Sequence, residues 1–192
     1  MAAEGNPLLA ADGGANHLAR IGLRPQHVIG DLDSIFPSTR SWLGEGPLVP
    51  QPDQDRCDLD KALTYAFDEM GLERLTVLAA LGGRPDHDIG NLGLLSAQRR
   101  GTDLIFLQDE SYLLAFSGEI ALEAAPGETW SFWTFDPAVR VTLRGVRWPV
   151  TEAALDAGGR PSISNVAESD EVHARADGGA VVAMRLLGKV AR

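Results

Sequence analysis

A single cysteine, Cys57, stands in the 192-residue chain. That excludes an internal disulfide framework and any zinc site built from several thiolates. Long apolar runs are missing too, and no stretch approaches the length of a membrane span. The opening MAAEGNPLLAADGG has neither the basic leader nor the apolar core of an export signal. A cytoplasmic location is therefore expected. Basic residues are scarce: 17 Lys and Arg against 27 Asp and Glu leave a formal charge of −10. A general nucleic-acid binder needs a basic face for phosphate backbones, so that class is disfavoured. What remains is 44% hydrophobic and 23% charged, the composition of a globular chain. Its length suits one large domain or two small ones with a real core.

The surplus acids are not evenly spread. Asp31, Asp33, Glu45, Asp53, Asp55, Asp58 and Asp60 crowd one stretch of thirty residues, 31–60. Within it, VIGDLDS sets Asp31 and Asp33 two apart after an apolar strand-like run. In extended chain residues two apart share a face, so both carboxylates aim at one spot. Their repulsion is relieved if a cation sits between them. Asp-x-Asp-Ser is also ordinary turn chemistry.

Up to about residue 110 strand-like and helix-like segments alternate. HVIG (27–30), GPLVP (46–50), RLTVLAAL (74–81) and DLIFLQ (103–108) are short and apolar. Leu59, Ala62, Leu63, Ala66, Phe67 and Met70 fall on one helical face, closed by Gly71. A second helix is expected from Asp88 to Arg100, ending at Gly101. The alternation predicts a parallel sheet with crossover helices. After residue 110 the pattern is strands: YLLAF, EIALEA, TWSFWTF, VRVTLRG, VHARA and AVVAMRLL. Asp177-Gly178-Gly179 reads as a hairpin turn, and TEAAL (151–155) as the one possible helix. The expected fold is α/β, an N-terminal Rossmann-like parallel-sheet domain (1–112) followed by a C-terminal all-β sandwich domain (113–192).

In an open parallel sheet ligands bind beyond the carboxyl ends of the strands. Four polar stretches are expected on that edge of one sheet: ADGGANHL (11–18), GDLDS (30–34), PDQDRCDLDKA (52–62) and LGGRPDHDIGN (81–91). Each has a bland reading. Asp12 with Gly13-Gly14 makes a turn, Asp58 caps the following helix, and Asp86 or Asp88 caps the next. Taken together they form an acidic rim. Such a rim suits Mg²⁺, which takes one or two carboxylates and gives its other positions to water and phosphate oxygens. Arg84 suits further phosphate charge. The chemistry indicated is metal-assisted phosphoryl or pyrophosphoryl transfer. A P-loop is absent: the Gly188-Lys189 pair lacks the following Ser/Thr, and Ala183 stands at the first glycine position. There is no G-x-G-x-x-G, H-E-x-x-H or G-x-S-x-G either.

In order and spacing, these four stretches resemble thiamine pyrophosphokinases. RGVRWPV (144–150) and SISN (162–165) extend the likeness into the β region. The resemblance implies transfer of the pyrophosphoryl group of ATP to thiamine, giving thiamine diphosphate and AMP, with Mg²⁺ required. It implies metal and catalytic roles for Asp31, Asp33 and Asp58, with Asp86 as a further catalytic residue. Asp12, Gly13, Gly14, Asn16, Arg84 and Asn91 are implied at the ATP site. Ser164, Asn165 and Trp148 are implied at the thiamine site, which in the family lies at a homodimer interface. The thiazolium charge of thiamine suits an acidic pocket. Its rings suit stacking on aromatics, with Trp130 and Trp133 read first as core. The proton acceptor is open between a metal-activated alcohol, Asp86 and His87.

Three features depart from the family pattern. Only about ten residues precede ADGGA, where the family has a strand and helix: either the chain start is truncated or misassigned, or the first strand is lost, which would expose a sheet edge. Cys57 replaces a common threonine, and Val166-Ala167 follow the Ser-Asn pair where some members have an aromatic. Two other readings fit the same residues: a pyrophosphokinase for another alcohol such as a hydroxymethylpterin, and a catalytically weak thiamine- or nucleotide-binding protein. Membrane and nucleic-acid partners are not expected.

Overall fold

The computed structural model describes residues 6–97 and 103–188. The chain divides between Leu72 and Glu73 into two compact units. In the first, three short strands β1 (Leu9–Ala11), β2 (His27–Gly30) and β3 (Leu48–Pro50) form a parallel sheet in the order β1-β2-β3. Val28 pairs with Ala10 on one side and Leu48 on the other. With a neighbour on both sides, β2 buries Val28, Ile29 and Gly30, the near-continuous burial of a central parallel strand.

Three helices connect and cover these strands. Helix α1 (Gly14–Arg20) follows β1 directly. Helix α2 (Pro37–Leu43) was not foreseen; Pro37 at its first position presets the helical φ, and Gly44 ends it at φ 66°. Helix α3 (Asp58–Thr64) buries Lys61, Ala62 and Leu63 and runs on as a π-helical turn, Tyr65–Glu69. Gly71 at φ 66° stops it, as its sequence position suggested. Ala10, Ala15, Val28, Leu32, Ile35 and Leu43 pack as the core.

The second unit holds an eight-stranded mixed sheet. Strands β4 (Arg74–Leu78) and β5 (Asp103–Leu107) are parallel and joined through helix α4 (Pro85–Ser96). This helix begins three residues before the expected Asp88, at a Pro-led first turn, and the expected end at Arg100-Gly101 lies outside the described residues. The remaining strands are β6 (Ser111–Glu123), β7 (Thr129–Trp133), β8 (Arg140–Arg144), β9 (Val150–Ala153), β10 (Ser162–Val166) and β11 (Glu171–Leu186). Their main order is β10-β7-β11-β6-β5-β4, with β8 joining β11 to β9.

Three expectations are corrected. The four strands of the first half do not share one sheet. β5 pairs antiparallel with β6, so β4 and β5 belong to the sheet of the C-terminal strands. Asp177-Gly178-Gly179 is no hairpin: the residues on either side of it pair with the same partner, Ala176 with Gly118 and Val181 with Phe116. The extra residues form a bulge in one long strand, and its partner YLLAF–EIALEA is likewise one strand, β6. TEAAL is not a helix, because Val150–Ala153 form β9 against β8.

The β-rich core is built from alternating inward residues, among them Phe116, Leu122, Val141, Leu143, Val172 and Val181. Trp130 and Phe132 are fully buried and stack with centroids 6.0 Å apart. Trp130 is core, as expected.

Candidate functional site

Asp12 follows β1, and Asp31 and Asp33 follow β2. One carboxylate oxygen from each lies within 4.8 Å of the others. The pair in VIGDLDS is thus joined by a third acid from the ADGG turn. Asp12 is 2% exposed, Asp31 half-buried and Asp33 exposed.

The backbone makes this convergence possible at a conformational cost. Asp12 has φ 36° and Leu32, between the paired aspartates, φ 68°. Non-glycine residues rarely adopt such values, and those that do concentrate at functional sites. Asn16 holds the turn: its amide donates to Ser34 O at 2.9 Å and its carbonyl oxygen accepts from Phe36 N–H at 3.0 Å. Gly13 eases the close approach, since a Cβ there would lie 3.2 Å from Ser34 Cβ, tighter than ordinary contact.

The Asp12 carboxylate is only half satisfied. Oδ2 accepts from Ser34 N–H at 3.2 Å, while Oδ1 is buried with no hydrogen-bond partner among the described residues. Burial pushes its pKa up, the nearby charge of Asp58 adds to this, and the Ser34 hydrogen bond opposes both. Asp31 is shifted the opposite way. The Gln54 amide donates to its Oδ2 at 3.0 Å and is the main cause; the Asp33 N–H and the ammonium of Lys61 help. An orphaned buried carboxylate oxygen beside two further carboxylates is the donor set of a hard cation, so the residues present fit Mg²⁺.

Asp58 opens α3 beside this cluster. Its Oδ1 accepts from Lys61 Nζ at 3.2 Å, one helical turn on. The expected capping role of Asp58 is corrected: Cys57 holds the cap position, Asp58 is the first helical residue, and no side-chain cap hydrogen bond forms at this helix start. Cys57 is exposed and precedes it. Gln54 and Lys61 were not singled out from sequence. The signal for Lys61 was its spacing of three from Asp58 on a helix; for Gln54 there was none beyond its acidic neighbours.

In the second unit, Ala79 at φ 55° and Gly82 at φ 94° turn the chain from β4 into LGGRPDHD. Asp88 accepts from Gly82 N–H at 3.1 Å, and Asn91 Nδ2 donates to Ala80 O at 2.7 Å. Asn91 therefore fastens α4 to the end of β4. Arg84 and Asp86 are both exposed and paired at 2.5 Å. The Arg84 guanidinium holds the Asp86 carboxyl at about 2. His87 is exposed beside them.

Ser164 and Asn165 lie on β10. Ser164 is exposed at φ 56°, and its N–H donates to the buried Ser131 Oγ at 3.0 Å. Asn165 is 1% exposed and clamps Trp148: its Oδ1 accepts from Trp148 N–H at 3.1 Å, and its Nδ2 donates to Trp148 O at 2.9 Å. Trp148 itself is 56% exposed, with the Arg147 guanidinium 5.7 Å from its ring centre. GVRWPV and SISN, far apart in sequence, are thus one hydrogen-bonded assembly.

Fold and acids together define a mixed α/β protein with a cluster of three carboxylates at the carboxyl ends of two parallel strands. Residues 3–106 match the model of the thiamin pyrophosphokinase catalytic domain, and residues 119–181 that of the thiamin pyrophosphokinase vitamin B1 binding domain. The chain belongs to the thiamin pyrophosphokinase family. It is 29% identical to thiamine pyrophosphokinase 1 of Oryza sativa subsp. japonica, over 88% of this chain and 75% of the relative. It is 27% identical to thiamine pyrophosphokinase of Bacillus subtilis, over 82% and 76%. The crystal structure of thiamine pyrophosphokinase from Bacillus subtilis superposes with a TM-score of 0.80 at 24% identity, covering 94% of this chain and 87% of that one. Thiamin pyrophosphokinase from Candida albicans gives 0.80 at 15% identity, over 94% and 82%. Among the described residues, no helix is long and apolar enough to cross a membrane.

Proposed function

We infer that the chain is a thiamine diphosphokinase, which moves the pyrophosphoryl group of ATP to thiamine and releases AMP. In this reaction the hydroxyethyl oxygen of thiamine bonds to the β-phosphorus. The bond from that phosphorus to the α,β-bridging oxygen breaks, and AMP departs with the oxygen. The observation that carries the reading is the Asp12–Asp31–Asp33 cluster with its orphaned buried oxygen, in a chain whose two halves match the two domains of one family.

We assign Asp31, Asp33 and Asp58 to Mg²⁺, with Asp12 beside them and its free oxygen available to the same ion. Bound there, Mg²⁺ supplies charge neutralisation for the phosphates. Gly13, Gly14 and Asn16 shape the ATP loop, and Arg84 and Asn91 serve the ATP site of LGGRPDHDIGN. Asp86 is a weak base while Arg84 holds it; a phosphate that draws Arg84 away restores its ordinary basicity, which suits it to take the alcohol proton. Ser164, Asn165 and Trp148 bind thiamine. The exposed Trp148 face and the strained Ser164 backbone support that assignment.

The finer architecture belongs to the same proposal: a Rossmann-like catalytic region within 1–112 and a β-sandwich thiamine-binding region within 113–192, in a cytoplasmic homodimer with thiamine held between subunits. The parallel β1–β3 sheet and the separate β-rich core support it.

AMP release from ATP and Mg²⁺, followed with and without thiamine, is the test. AMP formed only when thiamine is present is the expected result. Intact ATP in the presence of folded protein overturns the reading, and AMP formed only with a hydroxymethylpterin selects the other acceptor.

A further inference from the structure

Lys61 is 4% exposed, an unusual state for a lysine. An ammonium has three N–H donors, all in need of acceptors once water is excluded. Asp58 Oδ1, at 3.2 Å, takes one of them. Asp31 feels the same charge, since Lys61 is among the groups that hold its carboxyl low. Helix geometry explains the placement: three residues apart on α3, Asp58 and Lys61 point along the same face, and that face carries Asp58 toward Asp12. Burying a lysine with one acceptor among the described residues is costly as structure alone. Serving Asp58 as a counter-ion would need no more than a surface lysine.

We propose that Lys61 is a pyrophosphate-binding residue: its ammonium, fixed by Asp58, gives its remaining N–H donors to oxygens of the transferred pyrophosphoryl group. The inference rests on the phosphoryl-transfer reading above and deepens it. Asp12, Asp31, Asp33 and Asp58 together present up to four negative charges where a polyanion must arrive. A divalent cation offsets two of them; Lys61 offsets a third from a fixed position that needs no ion uptake. Because the charge is buried, water screens it little, and its attraction for phosphate is correspondingly strong. The residue is therefore specific to the donor side of the reaction and leaves thiamine binding alone.

The test compares wild type with Lys61→Met, Lys61→Gln and Lys61→Arg. Binding of inorganic pyrophosphate in the presence of Mg²⁺ is measured by titration calorimetry, and of thiamine separately. Loss of charge-assisted hydrogen bonds to phosphate predicts about tenfold to a hundredfold weaker pyrophosphate binding in the Met and Gln variants. Thiamine affinity stays at the wild-type value, Lys61→Arg recovers part of the loss, and kcat/KM for ATP falls in step with pyrophosphate affinity. A folded Met or Gln variant that binds pyrophosphate as wild type does overturns the proposal. So does failure of both neutral variants to fold, which makes Lys61 a structural counter-ion of Asp58. Wild-type protein that binds neither Mg²⁺-pyrophosphate nor ATP overturns the phosphoryl-transfer reading itself, and Lys61 falls with it. Wild-type binding with no transfer to thiamine strikes only at the acceptor.

Discussion

Asp12 and Asp58 flank Gly30 so closely that a Cβ on the glycine would stand 2.7 Å from Asp12 Cβ and 3.1 Å from Asp58 Oδ1. The end of β2 is therefore glycine because two acids need its space. Gly30 also sits at φ 156°, where a side chain is strained. Gly30→Ala is expected to cost about 2 kcal/mol or more, the range of backbone strain plus a forced contact. Turnover should be lost even where the protein folds. Urea denaturation with parallel assays measures both, and a variant of wild-type stability and activity contradicts the packing described.

Asp12→Asn separates function from stability. The folded carboxyl titrates above its ordinary value of 3.8. Its ionised form is therefore disfavoured by folding: stability is highest at low pH and is lost as pH rises from 3.8 through the folded value. An uncharged amide removes that penalty, keeps an oxygen for Ser34 N–H and turns its NH₂ toward the acids. At pH 7 the apo variant should be more stable by about 1 kcal/mol, a usual gain when a strained functional group is relieved. Divalent-cation binding should weaken. A destabilised Asn variant contradicts the assignment of burial as the dominant cause.

Asp33 is exposed, so its removal touches little packing. Asp33→Asn is expected to leave stability within about 0.5 kcal/mol. Metal-dependent turnover should fall by about a hundredfold or more, since charge stabilisation by a held cation is worth several kcal/mol. Chelation of Mg²⁺ in wild type should do the same, reversibly. Undiminished turnover in the variant rules out Asp33 as a ligand.

Asn165→Ala breaks the clamp on Trp148 and leaves two backbone groups without their partner. A loss of about 2 kcal/mol is expected for such buried bonds. The KM for thiamine should rise well above any change in the KM for ATP. Equal changes in both would place Asn165 in general support of the fold.

The Arg84–Asp86 pair has its own pH signature. Asp86 is held at about 2, below its ordinary 3.8. Its contribution to stability is present above 3.8 and lost as pH falls from there toward 2. Arg84→Gln should return the carboxyl to the ordinary range, which NMR titration of the Asp86 side chain reads directly. A carboxyl still near 2 in that variant assigns the depression to another group.

Much of the site was legible in the chain. Asp31 and Asp33 do share a target, as their spacing suggested, though they meet in a turn past the end of β2 with Leu32 at φ 68° and not through strand alternation. Asp58 opens a helix where the apolar periodicity begins. Ser164 and Trp148 stood in recognisable segments. What was not legible depends on pairing. Asp177-Gly178-Gly179 has hairpin composition, yet both of its flanks bond to β6, and nothing local distinguishes a turn from a bulge in a strand. In the same way β4 and β5 look like members of the first sheet until β5 is seen to pair with β6.

The sequence by itself determined the chemistry on offer: acids in turns after short apolar strands, a single thiol, a surplus of acids over bases, and a helix carrying Asp58. Tertiary structure alone decided which acids meet. Asp12 becomes a buried, half-satisfied carboxylate only because folding brings Ser34 of the GDLDS turn and Asp58 of α3 beside it. Lys61 becomes a buried cation only because α3 lays that face inward. Hydrogen bonding and burial are properties of the neighbours a residue acquires on folding. Residue type and spacing establish what a side chain can do, and its surroundings settle what it is left to do.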